Sequence, residues 1–369
     1  MSKINRLIAA YRQLQGQNEP FVLATIVETA GSTYQKAGAR MLIARGGELN
    51  GLLGGGCFEG DLVEHARSVF ETGAAKTVFY DMRSPDDEVW GLGLGCNGAV
   101  RIFLQLLTAA DDFSPLNIIA DAGEAHQEGL LVTICESDHP DFPVAHSLFL
   151  PASSIEDRQL SSFPFGATNQ QTTHRGKPRL EAHAIGGQTI KAFYDPIQPS
   201  SQLLILGAGD DAMPLAQCAK ALGWRVSIAD HRPAYLNETR FPQADLLLHL
   251  RPETLGRHLN LNHFSAAVLM THNIDHDRRF LAALADSTIP FVGLLGPAHR
   301  GERLLQSLEN VGERLRERTY GPVGLDIGAE TPEEIALSIM AGIHAELKDR
   351  SGGQLSPRGS VYLHDCLPR

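Results

Sequence analysis

The chain has 369 residues, of which 43% are hydrophobic and 20% charged, and its formal net charge is −11. This composition is typical of a globular protein, and the length predicts two domains that each bury a core. The acidic charge and the lack of an evident basic face argue against a nucleic-acid-binding role, and no stretch approaches the ~18 apolar residues of a membrane span. Five scattered cysteines without a C-x-x-C pair argue against a disulfide framework or a structural zinc site, and they predict a reduced, cytoplasmic protein.

The first half of the chain alternates short strand and helix patterns. An amphipathic helix is predicted at the N-terminus, with Ile4, Leu7, Ile8, Tyr11 and Leu14 on one face. Strands are predicted over residues 21–28, 39–44, 50–53, 76–80, 99–107, 130–135, 147–150, 180–185 and 191–195, and helices over 61–71 and 116–125. Residues 151–177 predict a mobile loop, and the sequence DPIQPSS from Asp195 to Ser201 predicts a linker between domains.

The segment GLLGGGCFEG, from Gly51 to Gly60, places a glycine turn between a strand and a helix. Its consecutive glycines are Gly54, Gly55 and Gly56, and they lead into Cys57 and the acid Glu59. Such a turn forms a backbone nest whose N–H groups can face an anion, and a cysteine at a helix N-terminus is stabilised as a thiolate. The alternative interpretation is a tight turn with a small buried thiol.

A second glycine cluster, WGLGLGCNGAV, runs from Trp90 to Val100 and contains Gly95 and Cys96. Like the first, it borders a regular element, here the strand over 99–107. If the fold brings the two clusters together, they form a glycine-lined pocket with two thiols.

The second half begins with a dinucleotide-binding fingerprint. A buried strand over 202–206 is followed by G-x-G-x-x-A, with Gly207 and Gly209, then by a helix over 213–222 and a strand that ends at Asp230. This context predicts a Rossmann-like, doubly wound parallel sheet, and Asp230 stands where an acid takes the ribose 2′-OH of NAD. Asp210 and Asp211 suit the helix start as caps but would repel a phosphate, so NAD(P) binding and a Rossmann-like domain without NAD both stay open.

The pattern of strands and helices continues to the end of the second half. Strands are predicted over 244–249, 266–270 and 290–295, followed by a long helix rich in Arg and Glu and a last helix from Pro332 to about Leu347. His272 follows the strand over 266–270, where open α/β sheets place ligands. With His276 and Asp275 it offers a metal site, but the favoured interpretation is that Asp275 and Asp277 cap a helix, and no metal is predicted.

Seven segments together resemble the XdhC/CoxI family, the maturation factors of xanthine dehydrogenase and carbon monoxide dehydrogenase. They are GSTYQKAGARMLIA (31–44), GLLGGGCFEGDLVEHA (51–66), GLGLGCNGAVRIF (91–103), ILGAGDDAMPLA (205–216), MTHNIDHD (270–277), FVGLLG (291–296) and GPVGLDIGAETPEEIALSI (321–339). They occur in order over nearly the whole chain. The GGGC-x-E and GLDIGA-x-TPEEIA strings are specific, whereas the Rossmann turn is not.

The resemblance implies an N-terminal XdhC/CoxI domain over 1–195, of mixed α/β structure with its core motifs in 20–110. A C-terminal Rossmann-like domain over 200–349 and a tail over 350–369 follow. It implies a protein that binds molybdenum cofactor (molybdopterin), assists its sulfuration, protects it and delivers it to an apo-hydroxylase of the xanthine dehydrogenase type. Docking with a cysteine desulfurase is also implied, and we expect a homodimer.

The resemblance also suggests residue roles. Terminal-sulfur transfer needs a sulfur-carrying cysteine, for which Cys57 and Cys96 are the candidates, and Arg40 is a partner for an anion because guanidinium matches phosphate geometry. A plain surface arginine is the alternative for Arg40. The segment Thr33–Lys36 departs from the proline-arginine pair of many family members. The competing functions are an NAD(P)-dependent oxidoreductase and a scaffold whose Rossmann-like domain only dimerises.

Overall fold

The computed structural model describes residues 3–56, 58–83, 98–156 and 176–356, and the chain divides into two compact units between residues 200 and 201. The helices are α1 (Lys3–Gly16), α2 (Glu59–Thr72), α3 (Leu116–Glu124), α4 (Ala152–Glu156), α5 (Ala212–Ala221), α6 (Leu255–His258), α7 (Ile274–Leu284), α8 (Ala298–Gln306), α9 (Asn310–Arg316) and α10 (Pro332–Leu347). The strands are β1 (Phe21–Gly31), β2 (Arg40–Ala44), β3 (Leu49–Gly51), β4 (Lys76–Asp81), β5 (Gly98–Leu107), β6 (Gly129–Glu136), β7 (Ser147–Pro151), β8 (Arg179–Ile185), β9 (Gln188–Ile197), β10 (Gln202–Leu206), β11 (Arg225–Asp230), β12 (Leu246–His249), β13 (Ala266–Leu269), β14 (Val292–Leu294) and β15 (Thr319–Tyr320).

The first unit contains two antiparallel sheets. One has the strand order β3-β2-β1-β5-β4, and the other has the order β7-β6-β9-β8. The central strand β1 is buried on both faces because its side chains alternate. Val22 and Ile26 pack in one core with α2, whereas Phe21 and Leu23 pack in another with α1 and α3.

The linker predicted between the halves begins too early. Strand β9 continues to Ile197, and Asp195 and Ile197 pair with Leu131 and Gly129 of β6. Pro196 is compatible with this strand because, within the described residues, β8 pairs with β9 only as far as Tyr194, so β9 has a free edge at Pro196 where no N–H is needed. The loop predicted over 151–177 is also partly wrong, since it opens with α4, and the rest of it up to residue 175 lies outside the described residues.

The second unit is built on a six-stranded parallel sheet with the order β12-β11-β10-β13-β14-β15. This is the doubly wound order in which the first strand of the unit lies at the centre. Leu203 and Ile205 of β10 face one core with α5 and α10, and Leu204 and Leu206 face the other core with α7 and α8. The predicted fold class, a mixed α/β domain followed by a Rossmann-like sheet, is confirmed.

Two features of the second unit differ from the prediction. The single long helix after Pro297 is two helices, α8 and α9, separated at a turn where Glu309 has a φ of 48°. The two-residue strand β15 was not predicted because it is too short to show a pattern. None of the helices in the described segments has the length and apolar character that a bilayer crossing needs.

Candidate functional site

The glycine turn between β3 and α2 is organised by Glu59. Its Oε1 accepts the N–H groups of Leu53 (3.1 Å) and Gly54 (2.6 Å), and its Oε2 accepts those of Gly56 (3.0 Å) and Phe58 (3.3 Å). Glu59 is buried, with 6% of its surface exposed. The nest predicted for an external anion is therefore filled by a carboxylate of the chain itself, which fixes the backbone on both sides of position 57.

The glycines of this turn are required by both conformation and space. Gly55 and Gly56 have φ values of 73° and 101°, in the left-handed region that favours glycine. A Cβ on Gly54 would lie 2.5 Å from the ring of Phe58, and one on Gly55 would lie 3.2 Å from the ring of Tyr34. Tyr34 is 56% exposed, so one aromatic face covers the turn while much of the ring stays open to solvent.

The two glycine clusters adjoin the same stretch of chain. Gly98, two residues after Cys96, packs so closely that a Cβ there would lie 2.3 Å from the carbonyl oxygen of Ser32 and 2.7 Å from Thr33. Gly55, two residues before Cys57, lies under the next residue, Tyr34. Cys57, Gly95 and Cys96 themselves are outside the described residues.

The surface around the turn combines apolar and hydrogen-bonded groups. Leu49 and Leu52, on either side of the end of β3, are 38% and 42% exposed. Phe58 stacks on Tyr80 with 4.7 Å between ring centroids, and the Tyr80 hydroxyl donates to Asp61 at 2.6 Å. Burial, followed by this hydrogen bond to Asp61, raises the pKa of Tyr80, so the phenol stays protonated.

Arg40 is neither an exposed anion partner nor a surface arginine. Its guanidinium forms an ion pair with Asp195, and the two side chains are only 7% and 6% exposed. Burial raises the pKa of Asp195 even though Arg40 opposes the rise. The cavity that Arg40 lines has ≈ 10 Å³ for a water-sized sphere, which is room for about one water and not for a phosphate. The sequence does not indicate Asp195 as the partner, because it lies 155 residues from Arg40 along the chain.

The two cysteines that the structure describes are poor nucleophiles. Cys135 lies in a core with Phe103 and Phe193, and burial raises its pKa to about 12. Cys218 on α5 is half-buried, and burial raises its pKa as well. Because the thiolate is the reactive form, neither position suits sulfur transfer.

In the Rossmann-like unit, Asp230 holds the glycine turn in place. Its Oδ2 accepts the N–H of Ala208, between Gly207 and Gly209, at 2.7 Å, and Arg232 donates to both of its oxygens at 2.8–3.0 Å. Burial acts to raise the pKa of Asp230, but hydrogen bonds from Arg232 and Ala208 outweigh it, and the pKa lies below its usual value. Asp230 thus has the position that the fingerprint predicts, with both oxygens engaged inside the protein.

The residues proposed for a metal or for capping near His272 have other partners. Asp275 and Asp277 lie in the first turn of α7, as predicted for the start of a helix, but the N-cap is Asn273, which accepts from the N–H groups of Asp275 and His276. Asp277 is buried and accepts from Thr271 and Arg300, each at 2.6 Å. Within the described ranges, no three His, Cys, Asp or Glu side chains form a group that could hold a metal ion.

The fold and the glycine turn define a class of protein: an antiparallel α/β unit with a glycine turn leading to a cysteine, joined to a Rossmann-like unit. Residues 14–81 match the model of the XdhC and CoxI family, and residues 203–343 match that of the XdhC Rossmann domain. A Bacillus subtilis protein named as a probable subunit of xanthine dehydrogenase is 35% identical over 334 residues, which cover 89% of this chain and 94% of that protein. The chain belongs to the XdhC/CoxI family.

Two further relatives extend the comparison. The crystal structure of a xanthine dehydrogenase from Bacillus halodurans is 29% identical, with a TM-score of 0.73 over 97% of this chain and 98% of that one. The uncharacterized protein YqeB of Escherichia coli is 24% identical over 94% of this chain but only 47% of its own length. The chain thus matches two relatives along almost their whole length and about half of a longer third.

Proposed function

We propose that this protein is a maturation factor for a xanthine-dehydrogenase-type molybdenum hydroxylase, and that it binds molybdenum cofactor at the two glycine–cysteine turns of the first unit. Two findings support this type of hydroxylase as the enzyme that is matured. The chain belongs to the XdhC/CoxI family, and two of its relatives are named after xanthine dehydrogenase. The observation that supports the site is that Gly55, two residues before Cys57, and Gly98, two residues after Cys96, both pack against residues 32–34.

Within this proposal, the described residues suit some parts of the cofactor better than others. Glu59 already fills the amides of the first turn, so the cofactor's phosphate is not assigned there. The exposed ring of Tyr34 offers a flat face on which a pterin can stack. A thiolate at Cys57 or Cys96 suits a soft metal or a transferable sulfur, and a cysteine desulfurase is the expected source of that sulfur.

Anaerobic binding of molybdenum cofactor tests this function. Wild type, Cys57→Ala and Cys96→Ala are incubated with released cofactor and separated by gel filtration, and molybdenum and pterin are quantified in the protein fraction. We expect stoichiometric uptake by wild type and a loss of affinity of at least about tenfold in Cys57→Ala, equivalent to about 1.4 kcal/mol.

Cys218→Ala is the matched control, since it removes a half-buried thiol from the second unit. Its uptake should equal that of wild type. The proposal is contradicted if wild type retains no cofactor, or if both Cys57→Ala and Cys96→Ala bind as wild type does.

A further inference from the structure

The space above the second glycine of the Rossmann turn is filled by the protein itself. In dinucleotide-binding folds this glycine lets the backbone approach the pyrophosphate closely. Here a Cβ on Gly209 would lie 2.6 Å from Oδ1 of Asp211 and 3.7 Å from Nε2 of His272. The Asp211 carboxylate therefore occupies the position that a ligand phosphate would take.

A contact across two strand ends holds this carboxylate in place. Asp211 follows β10, and its Oδ2 lies 2.8 Å from Nε2 of His272, which follows β13. His272 has a φ of 57°, a left-handed conformation that is uncommon for a residue with a side chain. Asp211 also stands at the N-cap position of α5 but makes no capping hydrogen bond, so helix capping does not explain its orientation.

The carboxylate keeps one oxygen buried and unpaired. Among the described residues, Oδ1 of Asp211 has no hydrogen-bond partner, and the side chain is only 17% exposed. An unpaired buried oxygen costs free energy, which the contact with His272 must offset. Hydrogen bonding of Oδ1 therefore does not explain why the carboxylate lies over Gly209.

Three backbone donors near the turn are also engaged. The N–H of Ala208 donates to Asp230, that of Ala212 to the carbonyl of Gly209, and that of Met213 to the carbonyl of Asp210. A pyrophosphate at a Rossmann turn depends on such N–H groups at the helix N-terminus. The neighbouring acid Asp210 points outward, with its side chain 88% exposed and paired with Arg240 at 2.8 Å.

We propose that Asp211, held by His272, is an internal substitute for the phosphate and makes the Rossmann-like unit reject NAD(P) and other pyrophosphate ligands. The rejection of pyrophosphate then depends chiefly on the carboxylate of Asp211, and the engaged N–H groups of Ala208, Ala212 and Met213 add to it. This inference concerns the second unit alone and is independent of cofactor binding in the first.

Isothermal titration of the full chain with ADP-ribose, which carries the pyrophosphate and both riboses, tests the inference. Wild type should show no saturable binding up to about millimolar ligand. Asp211→Ala removes both the obstruction and a negative charge a few ångströms from the phosphate, so its affinity should exceed that of wild type by at least about tenfold. His272→Ala, which releases the carboxylate without removing it, should give a smaller gain.

Asp210→Ala is the matched control, because it removes an equal charge from an exposed neighbouring position and should change affinity by less than about threefold. The inference is overturned if wild type binds ADP-ribose with micromolar affinity. It is also overturned if Asp211→Ala, shown to be folded by circular dichroism, binds no better than Asp210→Ala. Should Asp211→Ala fail to fold, the His272→Ala variant decides, and binding no better than that of Asp210→Ala then overturns the inference.

Discussion

The sequence predicts anion binding at three positions, and at each of them the structure has a carboxylate of the chain itself. Glu59 accepts the amides of the glycine turn, Asp195 pairs with Arg40, and Asp211 lies over Gly209. The sequence identifies donors well, because glycine turns and arginines have clear patterns. It does not reveal that Asp195 meets Arg40, since the two are 155 residues apart and the contact depends on how the strands pair.

The carboxylate of Glu59 should be the main support of the glycine turn. In Glu59→Gln the amide NH₂ replaces one acceptor oxygen, so backbone N–H groups of the turn lose their partner and face another donor. Leaving buried donors unsatisfied costs about 1–3 kcal/mol. We expect a loss of this size in the free energy of unfolding of the first unit, measured by urea denaturation of the full chain.

Glu64→Gln provides the control for this change. It lies on the same helix, α2, with its side chain 61% exposed and paired with Arg67. Its effect should stay within about 0.5 kcal/mol, as is usual for surface positions. Equal effects of the two substitutions would show that the nest does not depend on Glu59.

Elements were predictable where a periodic pattern and its end signals agree. The start of α10 at Pro332 and the αL cap of α2 at Gly73 both match the prediction. The break between α8 and α9 was missed because no proline marks it. There Gly312 packs on the carbonyl of Leu305, where a Cβ would lie at 2.0 Å, and this contact between helices has no local signal.

The N-terminus of α10 offers a quantitative test at this scale. Thr331 Oγ1 accepts the N–H of Glu334 at 3.3 Å, and the Glu334 carboxylate accepts the N–H of Thr331 at 2.9 Å, which is a reciprocal capping box. Thr331→Ala should lower the free energy of unfolding of the second unit by about 1 kcal/mol in thermal or urea denaturation. Leu337→Ala, at a 55%-exposed position of the same helix, is the comparison, and an equal or larger loss there would argue against the cap.

At the scale of the whole molecule, the first unit contains the residues specific to the family, whereas the second is recognised by its fold. The first unit holds the family's specific GGGC-x-E string, around which the described residues build a fixed turn. The second has the strand order of a dinucleotide-binding fold but an acid in its turn. The strand order of a unit therefore does not determine its function, which depends on the particular residues that line its glycine turn.

The most direct test of the maturation role is reconstitution of a client enzyme. An apo-hydroxylase of the xanthine dehydrogenase type is supplied anaerobically with limiting molybdenum cofactor, with this protein, with its Cys57→Ala variant, or with neither, and xanthine oxidation is followed. We predict that the wild-type protein raises the recovered activity at least about tenfold and that Cys57→Ala does not. Equal activation in the presence and absence of the protein would contradict the proposed function.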